Sequence, residues 1–133
     1  MFDKEDLLKL TGGVKLFNKK KYWECHEEVE DLWLEEASPI RNVYWTIIQL
    51  ATSLYHYYGD NHVGAIDMMY KAKEKVILTE KAHVESQILY KFLSWKKLKN
   101  VILKLQSDYE IEVVEEFTKF RFPDPDKWRM HFD

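Results

Sequence analysis

Residues Asn42 to Tyr58 read NVYWTIIQLATSLYHYY, and this stretch decides the fold. No Asp, Glu, Lys or Arg occurs between Asn42 and Gly59. A helix that is uncharged nearly all round is usually the central helix of a bundle, because it has no face suited to water. The stretch is too short for a membrane span and too rich in amide, hydroxyl and imidazole groups, so no membrane partner is expected. We predict an all-α fold with residues 42–58 as its central helix.

The polar residues of this helix share one side. Trp45, Gln49, Thr52 and His56 are spaced i, i+4, i+7 and i+11, which places them in a single stripe along a helix. Buried amide and imidazole groups need hydrogen-bond partners. We expect the helix that precedes this one to supply them.

That preceding helix is predicted over about Tyr22–Glu36, and Pro39 follows its end. His26 and Glu30 are neighbours at i and i+4 on its inward side. Glu27 lies at the edge of this side, next to Glu30. The two helices together therefore predict that His26, Glu30, Gln49 and His56 converge, directly or through one water.

The composition predicts one domain. The chain has 133 residues, of which 46% are hydrophobic and 32% charged, with four Gly and three Pro. These values fit a globular bundle of about five long helices over residues 1–133. Its C-terminal part, residues 86–133, is expected to begin with one long amphipathic helix over 86–106. An irregular aromatic tail follows, and we expect it to dock through Phe122, Trp128, Met130 and Phe132.

Breaks between the other helices are expected at two places. Thr11-Gly12-Gly13 should break or bend an N-terminal helix over Asp3–Leu10. The segment Thr79–Glu85 should separate two later helices. The pattern over Tyr109–Val114 is ambiguous between a strand-like segment and a short helix.

Charge is unevenly distributed along this chain of net charge −3. The segment Glu24–Glu36 carries seven acids and no base, and Lys91–Lys104 carries five lysines and no acid. We expect two solvated faces that attract each other across the fold or across a homodimer. Nucleic-acid binding is not expected, because the chain is acidic and no Arg accompanies these lysines.

Cys25 is the single cysteine, so no internal disulfide is expected. The N-terminus has no apolar signal-peptide core. Both features predict a cytoplasmic protein. His26 cannot act as the base for the Cys25 thiol, because adjacent helical residues point about 100° apart. We predict that Cys25 is a core residue.

The chain resembles the family called domain of unknown function 309, a set of small all-helical proteins, over about residues 17–72. The resemblance is carried by a long series of polar and aromatic residues: Phe17-Asn18, Tyr22, His26-Glu27, Glu30, Trp33, Gln49, Ala51, His56, Asn61, Gly64 and Ala65. It implies a helical bundle built around this helix pair. The family has no agreed activity or cofactor, so the resemblance implies neither.

Three functions are compatible with this pattern. In the first, His26, Glu30, Gln49 and His56 form a buried hydrogen-bond network in a structural or association module. In the second, His26, Glu30 and His56 bind a metal ion, and Glu27 is a general base for hydrolysis. A small-ligand pocket lined by Trp33, Trp45 and Tyr55 is a variant of the second. Gln49 and Asn61 are further candidates for binding such a ligand.

In the third function, the acidic and basic helices and the apolar tail build a homodimer or hold a partner helix. This function is compatible with either of the others. We expect a homodimer, and the sequence does not indicate a particular cofactor.

Overall fold

The computed structural model describes residues 1–132, which fold into one compact helical domain around a single hydrophobic core. No strand occurs among these residues, so the expected all-α class is confirmed. Eight α-helices follow in chain order: α1 Lys4–Leu8, α2 Thr11–Asn18, α3 Tyr22–Glu35, α4 Arg41–Tyr58, α5 His62–Lys81, α6 Gln87–Phe92, α7 Trp95–Ile102 and α8 Glu110–Thr118. Two short 3-10 helices, Pro125–Lys127 and Arg129–His131, follow in the tail.

The uncharged stretch forms α4, which packs against both α3 and α5 and also contacts α8. Its buried residues lie on more than one side of the helix: Val43, Tyr44, Thr46, Ile47, Ile48, Gln49, Leu50, Ala51, Ser53 and Leu54. The Asn61 side chain caps the next helix, since it accepts a hydrogen bond from the Gly64 amide at 2.9 Å. Within residues 1–132, no helix is both long and apolar enough to cross a membrane.

The described residues form more helices than the expected five, in part because one expected helix is divided. Residues 86–106 do not form one helix: Ser94 has φ of 49°, a left-handed conformation, and it separates α6 from α7. This bend lets Phe92 and Trp95 both reach the core. At the other end, the chain breaks near Lys9 and Leu10, and Gly12 and Gly13 lie inside α2.

The tail docks on the domain through Phe122, Trp128 and Phe132. The Asn18 amide donates to the Phe122 carbonyl at 3.0 Å, and its oxygen accepts from the Phe122 amide at 2.9 Å. Phe122 and Trp128 are buried, whereas Met130 is 76% exposed, so the expectation that it docks is wrong. Asp133, the last residue of the expected tail, lies outside the described residues.

Two glycines allow α2 to approach α3 closely. A Cβ atom added to Gly13 would lie 2.5 Å from Cγ2 of Val29, a fully buried side chain with little freedom to move. A Cβ atom added to Gly12 would lie 2.6 Å from a carboxylate oxygen of Glu28. Glu28 is an exposed, flexible side chain that can rotate away.

We predict that Gly13→Ala and Gly12→Ala have opposite effects on the free energy of unfolding. Gly13→Ala should lower it by about 1–3 kcal/mol through overpacking. Gly12→Ala should raise it by up to about 1 kcal/mol, because alanine is the better helix former. Urea unfolding of both variants checks this, and equal effects at the two positions would contradict the close approach of α2 to Val29.

Candidate functional site

The helices α3 and α4 run side by side in opposite directions, which aligns their polar stripes. At one end, the rings of Trp23 and Tyr55 are 5.0 Å apart between centroids. At the other end, the rings of Trp33 and Trp45 are also 5.0 Å apart. Between these two aromatic pairs, α3 and α4 form a seam. It contains the candidate residues His26, Glu27 and Glu30 of α3 and Gln49 of α4.

His26 and Glu30 form the first pair within this seam. The His26 Nε2 atom lies 3.2 Å from a Glu30 carboxylate oxygen, as their i, i+4 spacing predicts. The His26 side chain is 19% exposed and that of Glu30 is 45% exposed, so this pair lies at the rim of the seam. The other ring nitrogen of His26, Nδ1, is buried and has no partner among residues 1–132.

His56 and Gln49 do not join that pair by direct hydrogen bonds in the described part of the chain. The His56 Nδ1 atom lies 3.5 Å from the amide nitrogen of Asn61, in the turn that follows α4. Gln49 is buried, and its side-chain oxygen has no protein partner within residues 1–132. Of the four side chains expected to converge, only His26 and Glu30 contact each other directly. His56 pairs with Asn61 instead, and the side-chain oxygen of Gln49 has no protein partner in this part of the chain.

The candidate metal ligands are also not gathered together. No three His, Cys, Asp or Glu side chains within residues 1–132 are grouped so that they could hold a metal ion. His26 and Glu30 supply two ligands, and His56 faces Asn61 instead. Glu27, the candidate base, is exposed on α3.

Two cations flank the aromatic pair at the far end of the seam. The Arg41 guanidinium lies 4.6 Å from the ring centroid of Trp33, and the Lys75 ammonium lies 4.0 Å from that of Trp45. The Lys75 side chain is only 7% exposed and pairs with Glu74 at 3.1 Å. Cation–π contacts are stronger when they are desolvated, so the buried Lys75 contact should stabilise this end of the seam.

The opposite end of the seam opens into a cleft of about 690 Å³, which we call the aromatic cleft. It lies where α3 begins and α4 ends. Three of its rings are well exposed: Trp23 at 44%, Tyr55 at 46% and Tyr58 at 51%. Its lining residues are Lys20, Lys21, Tyr22, Trp23, Glu24, Tyr55, His56, Tyr58, Gly59 and Asn61.

Two buried groups near this cleft resist ionisation. Burial raises the pKa of Tyr22 to about 12, and the nearby Arg121 offsets only part of that effect. Burial, and then the negative charge of Glu28, raises the pKa of Cys25 to about 12. The Cys25 thiol is fully buried, so it is a core residue and not a nucleophile.

The densest polar cluster lies elsewhere, and sequence reasoning missed it. The Glu85 carboxylate accepts hydrogen bonds from Tyr90 at 2.9 Å, Trp95 at 3.2 Å and Lys99 at 2.9 Å. Lys99 also pairs with Glu80 at 2.7 Å. These contacts tie the end of α5 to α6 and α7. No local spacing indicates them, because the Ser94 bend is what brings Trp95 and Lys99 to Glu85.

The resemblance to known proteins covers the seam and the cleft. Residues 10–68 match the sequence model of a family described as Domain of unknown function (DUF309), which confirms the resemblance expected over 17–72. The Uncharacterized protein YpuF of Bacillus subtilis (strain 168) is 40% identical over 57 residues. That alignment covers 42% of this chain and 33% of the relative, so the match spans about a third of the relative's length. No solved structure matches the chain.

The shared region holds every residue that lines the aromatic cleft, since these residues all lie between positions 20 and 61. It also holds the candidate residues of the seam. The helices α6, α7 and α8, together with the Glu85 cluster, lie outside it. The match to the family model therefore concerns α2, α3, α4 and the first part of α5.

The Glu85 cluster predicts a pH-dependent contribution to stability. Burial tends to raise the pKa of Glu85, but hydrogen bonds from Lys99, Tyr90 and Trp95 outweigh it and hold the pKa below the ordinary value of 4.5. The ionised carboxylate therefore stabilises the folded state above the unfolded pKa, and this contribution is lost as pH falls through the folded pKa.

We expect Glu85→Gln to be less stable than the wild type at pH 7, because the charged acceptor of three hydrogen bonds is lost. The difference in the free energy of unfolding should shrink as the pH is lowered below about 4. Urea unfolding at several pH values measures it, with Glu112→Gln as an exposed control. A difference that is constant with pH would contradict the role of the Glu85 charge.

Proposed function

We propose that this domain binds a small ligand in the aromatic cleft. The observation that carries this proposal is the combination of three exposed rings, Trp23, Tyr55 and Tyr58, in one concave site of about 690 Å³. Small-molecule sites are usually clefts of this size, lined by aromatic side chains with a few polar groups. Helix ends supply the walls, and His56 and Asn61 supply polar groups at the edge.

The seam supports the cleft as a polar network. We propose that His26, Glu30 and Gln49 fix how α3 and α4 lie against each other, with ordered water completing the hydrogen bonds of His26 Nδ1 and Gln49. Buried polar atoms are generally satisfied by protein or by water. The His26 ring lies 4.7 Å from the ring of Trp23, so the seam directly supports a wall of the cleft.

A screen of small aromatic fragments by two-dimensional NMR tests this function. Ring-containing fragments should shift the indole N–H signal of Trp23 in the wild type. Trp23→Leu should weaken their affinity by about tenfold, because stacking on one ring contributes about 1–3 kcal/mol. Tyr109→Leu, which removes a ring that is 52% exposed outside the cleft, is the matched control. Fragments that bind Trp23→Leu as well as the wild type would refute the proposal.

We also propose that the domain forms a homodimer through its charged faces. The acidic face of α3 consists of Glu24, Glu27, Glu28, Asp31 and Glu35, which are all exposed. None of these acids forms a salt bridge within residues 1–132, and neither do the exposed Lys91, Lys96 and Lys97 on α6 and α7. The two faces thus do not neutralise each other inside one chain, which favours pairing between copies.

Sedimentation equilibrium tests the homodimer. The dimer should be present at low salt and dissociate at about 1 M salt, where the Debye length is about 3 Å. Charge reversal at Lys96 and Lys97 to Glu should abolish it, and so should reversal at Glu27 and Asp31 to Lys. Mixing the two reversed proteins should restore a heterodimer. A monomer at every salt concentration would refute this proposal.

A further inference from the structure

We infer that the ligand of the aromatic cleft is a flat ring that carries an anionic group, a phosphate or a carboxylate. This inference rests on the proposed binding function and names the chemistry of the ligand. The rings of the cleft offer stacking surfaces, and its rim offers a cluster of positive charge and free N–H donors.

The stacking surfaces lie on two sides of the cleft. Trp23 from α3 and Tyr55 from α4 contact each other at an interplanar angle of 44°, and both remain nearly half exposed. Tyr58 is stacked on Tyr22 at 6.0 Å with an angle of 8°, and the Tyr58 side chain remains 51% exposed. Such exposed rings favour a planar partner, since stacking does not depend on a particular set of hydrogen bonds.

The positive charge comes from the connector before α3. Lys20 and Lys21 line the cleft, and neither lies within 4.0 Å of a carboxylate among the described residues. The Lys20 ammonium lies 3.4 Å from the Tyr58 hydroxyl and 5.6 Å from its ring centroid, which places it beside the stacking surface. Glu24 opposes these charges from the same lining, so the rim carries an excess of one positive charge from these three residues.

The free donors are the first amides of α3. Lys21 is the N-cap residue of this helix, and its side chain accepts no hydrogen bond from the helix. The helical hydrogen bonds begin with the Cys25 amide, which donates to the Lys21 carbonyl. The amides of Tyr22, Trp23 and Glu24 therefore have no hydrogen-bond partner within residues 1–132. Uncapped helix N-termini favour anions, because their N–H groups and the helix dipole both present positive charge.

An independent observation supports a polar ligand atom at this place. Tyr22 lines the cleft, yet it is only 4% exposed, and its hydroxyl has no hydrogen-bond partner in the described part of the chain. A buried hydroxyl without a partner is rare in folded proteins. The hydroxyl oxygen is closed to solvent, and a ligand oxygen that reached it would give it the hydrogen-bond acceptor that it lacks.

Isothermal titration with a small set of probes tests the inference on the intact protein. Adenosine 5′-monophosphate carries a ring and a phosphate, adenosine carries the ring alone, and inorganic phosphate carries the anion alone. Indole-3-acetate carries a ring and a carboxylate, which distinguishes the two anion sources. At least one ring-plus-anion probe should bind about tenfold more tightly than adenosine and than phosphate, because charge-assisted hydrogen bonds add to stacking.

Matched variants locate the binding. Lys21→Ala should weaken the ring-plus-anion probe about fivefold or more and leave adenosine unchanged, whereas Lys119→Ala, another exposed lysine, should change neither. Lys21 is the better target because Lys20 has φ of 62° and its replacement would also alter backbone strain. Trp23→Leu should weaken both adenosine and the ring-plus-anion probe.

The outcomes separate the inference from the proposed function. If adenosine and both ring-plus-anion probes bind equally, and Trp23→Leu weakens all of them, the cleft binds rings but the anionic class is wrong. If Lys21→Ala has no effect on a tight ring-plus-anion probe, the anion site is wrong. If no probe or fragment perturbs the Trp23 signal, both the inference and the proposed function fail.

Discussion

The absence of charge over residues 42–58 of α4 is the constraint on which the rest of the structure depends. A helix with no ionic side chain over 42–58 must be covered by its neighbours, and α3 and α5 provide most of this cover. Its hydroxyl groups are satisfied without water: Thr46 donates to the Asn42 carbonyl, Thr52 to the Ile48 carbonyl and Ser53 to the Ala65 carbonyl. Two of these bonds lie within α4 and the third joins it to α5, so α4 carries these hydroxyl groups in the core at little cost. The aromatic cleft forms near Tyr55 and Tyr58 because the neighbouring helices do not cover the last turn of α4.

Much of this fold could be predicted from periodicity, and the parts that could not depend on contacts distant in sequence. The bounds of α3 and α4 follow from their apolar patterns and from Pro39. The division at Ser94 could not be predicted, because no Gly or Pro marks it and the segment keeps its amphipathic pattern. There the burial of Trp95 and its bond to Glu85 outweigh the local preference for one continuous helix.

Within the candidate site, too, only the contacts that depend on spacing along one helix could be predicted from the sequence. The His26–Glu30 pair follows from spacing on one helix, and the structure contains it. The contact of His56 with Asn61 depends on the geometry of a turn, which the stripe on α4 does not reveal. The meeting of Trp23, Tyr58 and Lys20 in one cleft was not predicted, because they come together only where the ends of two antiparallel helices meet. The sequence signal that could have indicated the cleft is the run of aromatic residues over 55–58, at the predicted end of a helix.

The pairing of Asn18 with Phe122 has a consequence for the order of folding. These residues are 104 positions apart, and Phe122 packs its ring 4.9 Å from that of Phe17. During synthesis, the segment over 10–68 emerges from the ribosome well before Phe122. Until then, the side-chain amide of Asn18 and the ring of Phe17 are exposed to water. Contacts between distant residues form late because closing the long loop is entropically costly. The part of the chain that resembles known proteins thus completes its own core only when the distant tail has arrived.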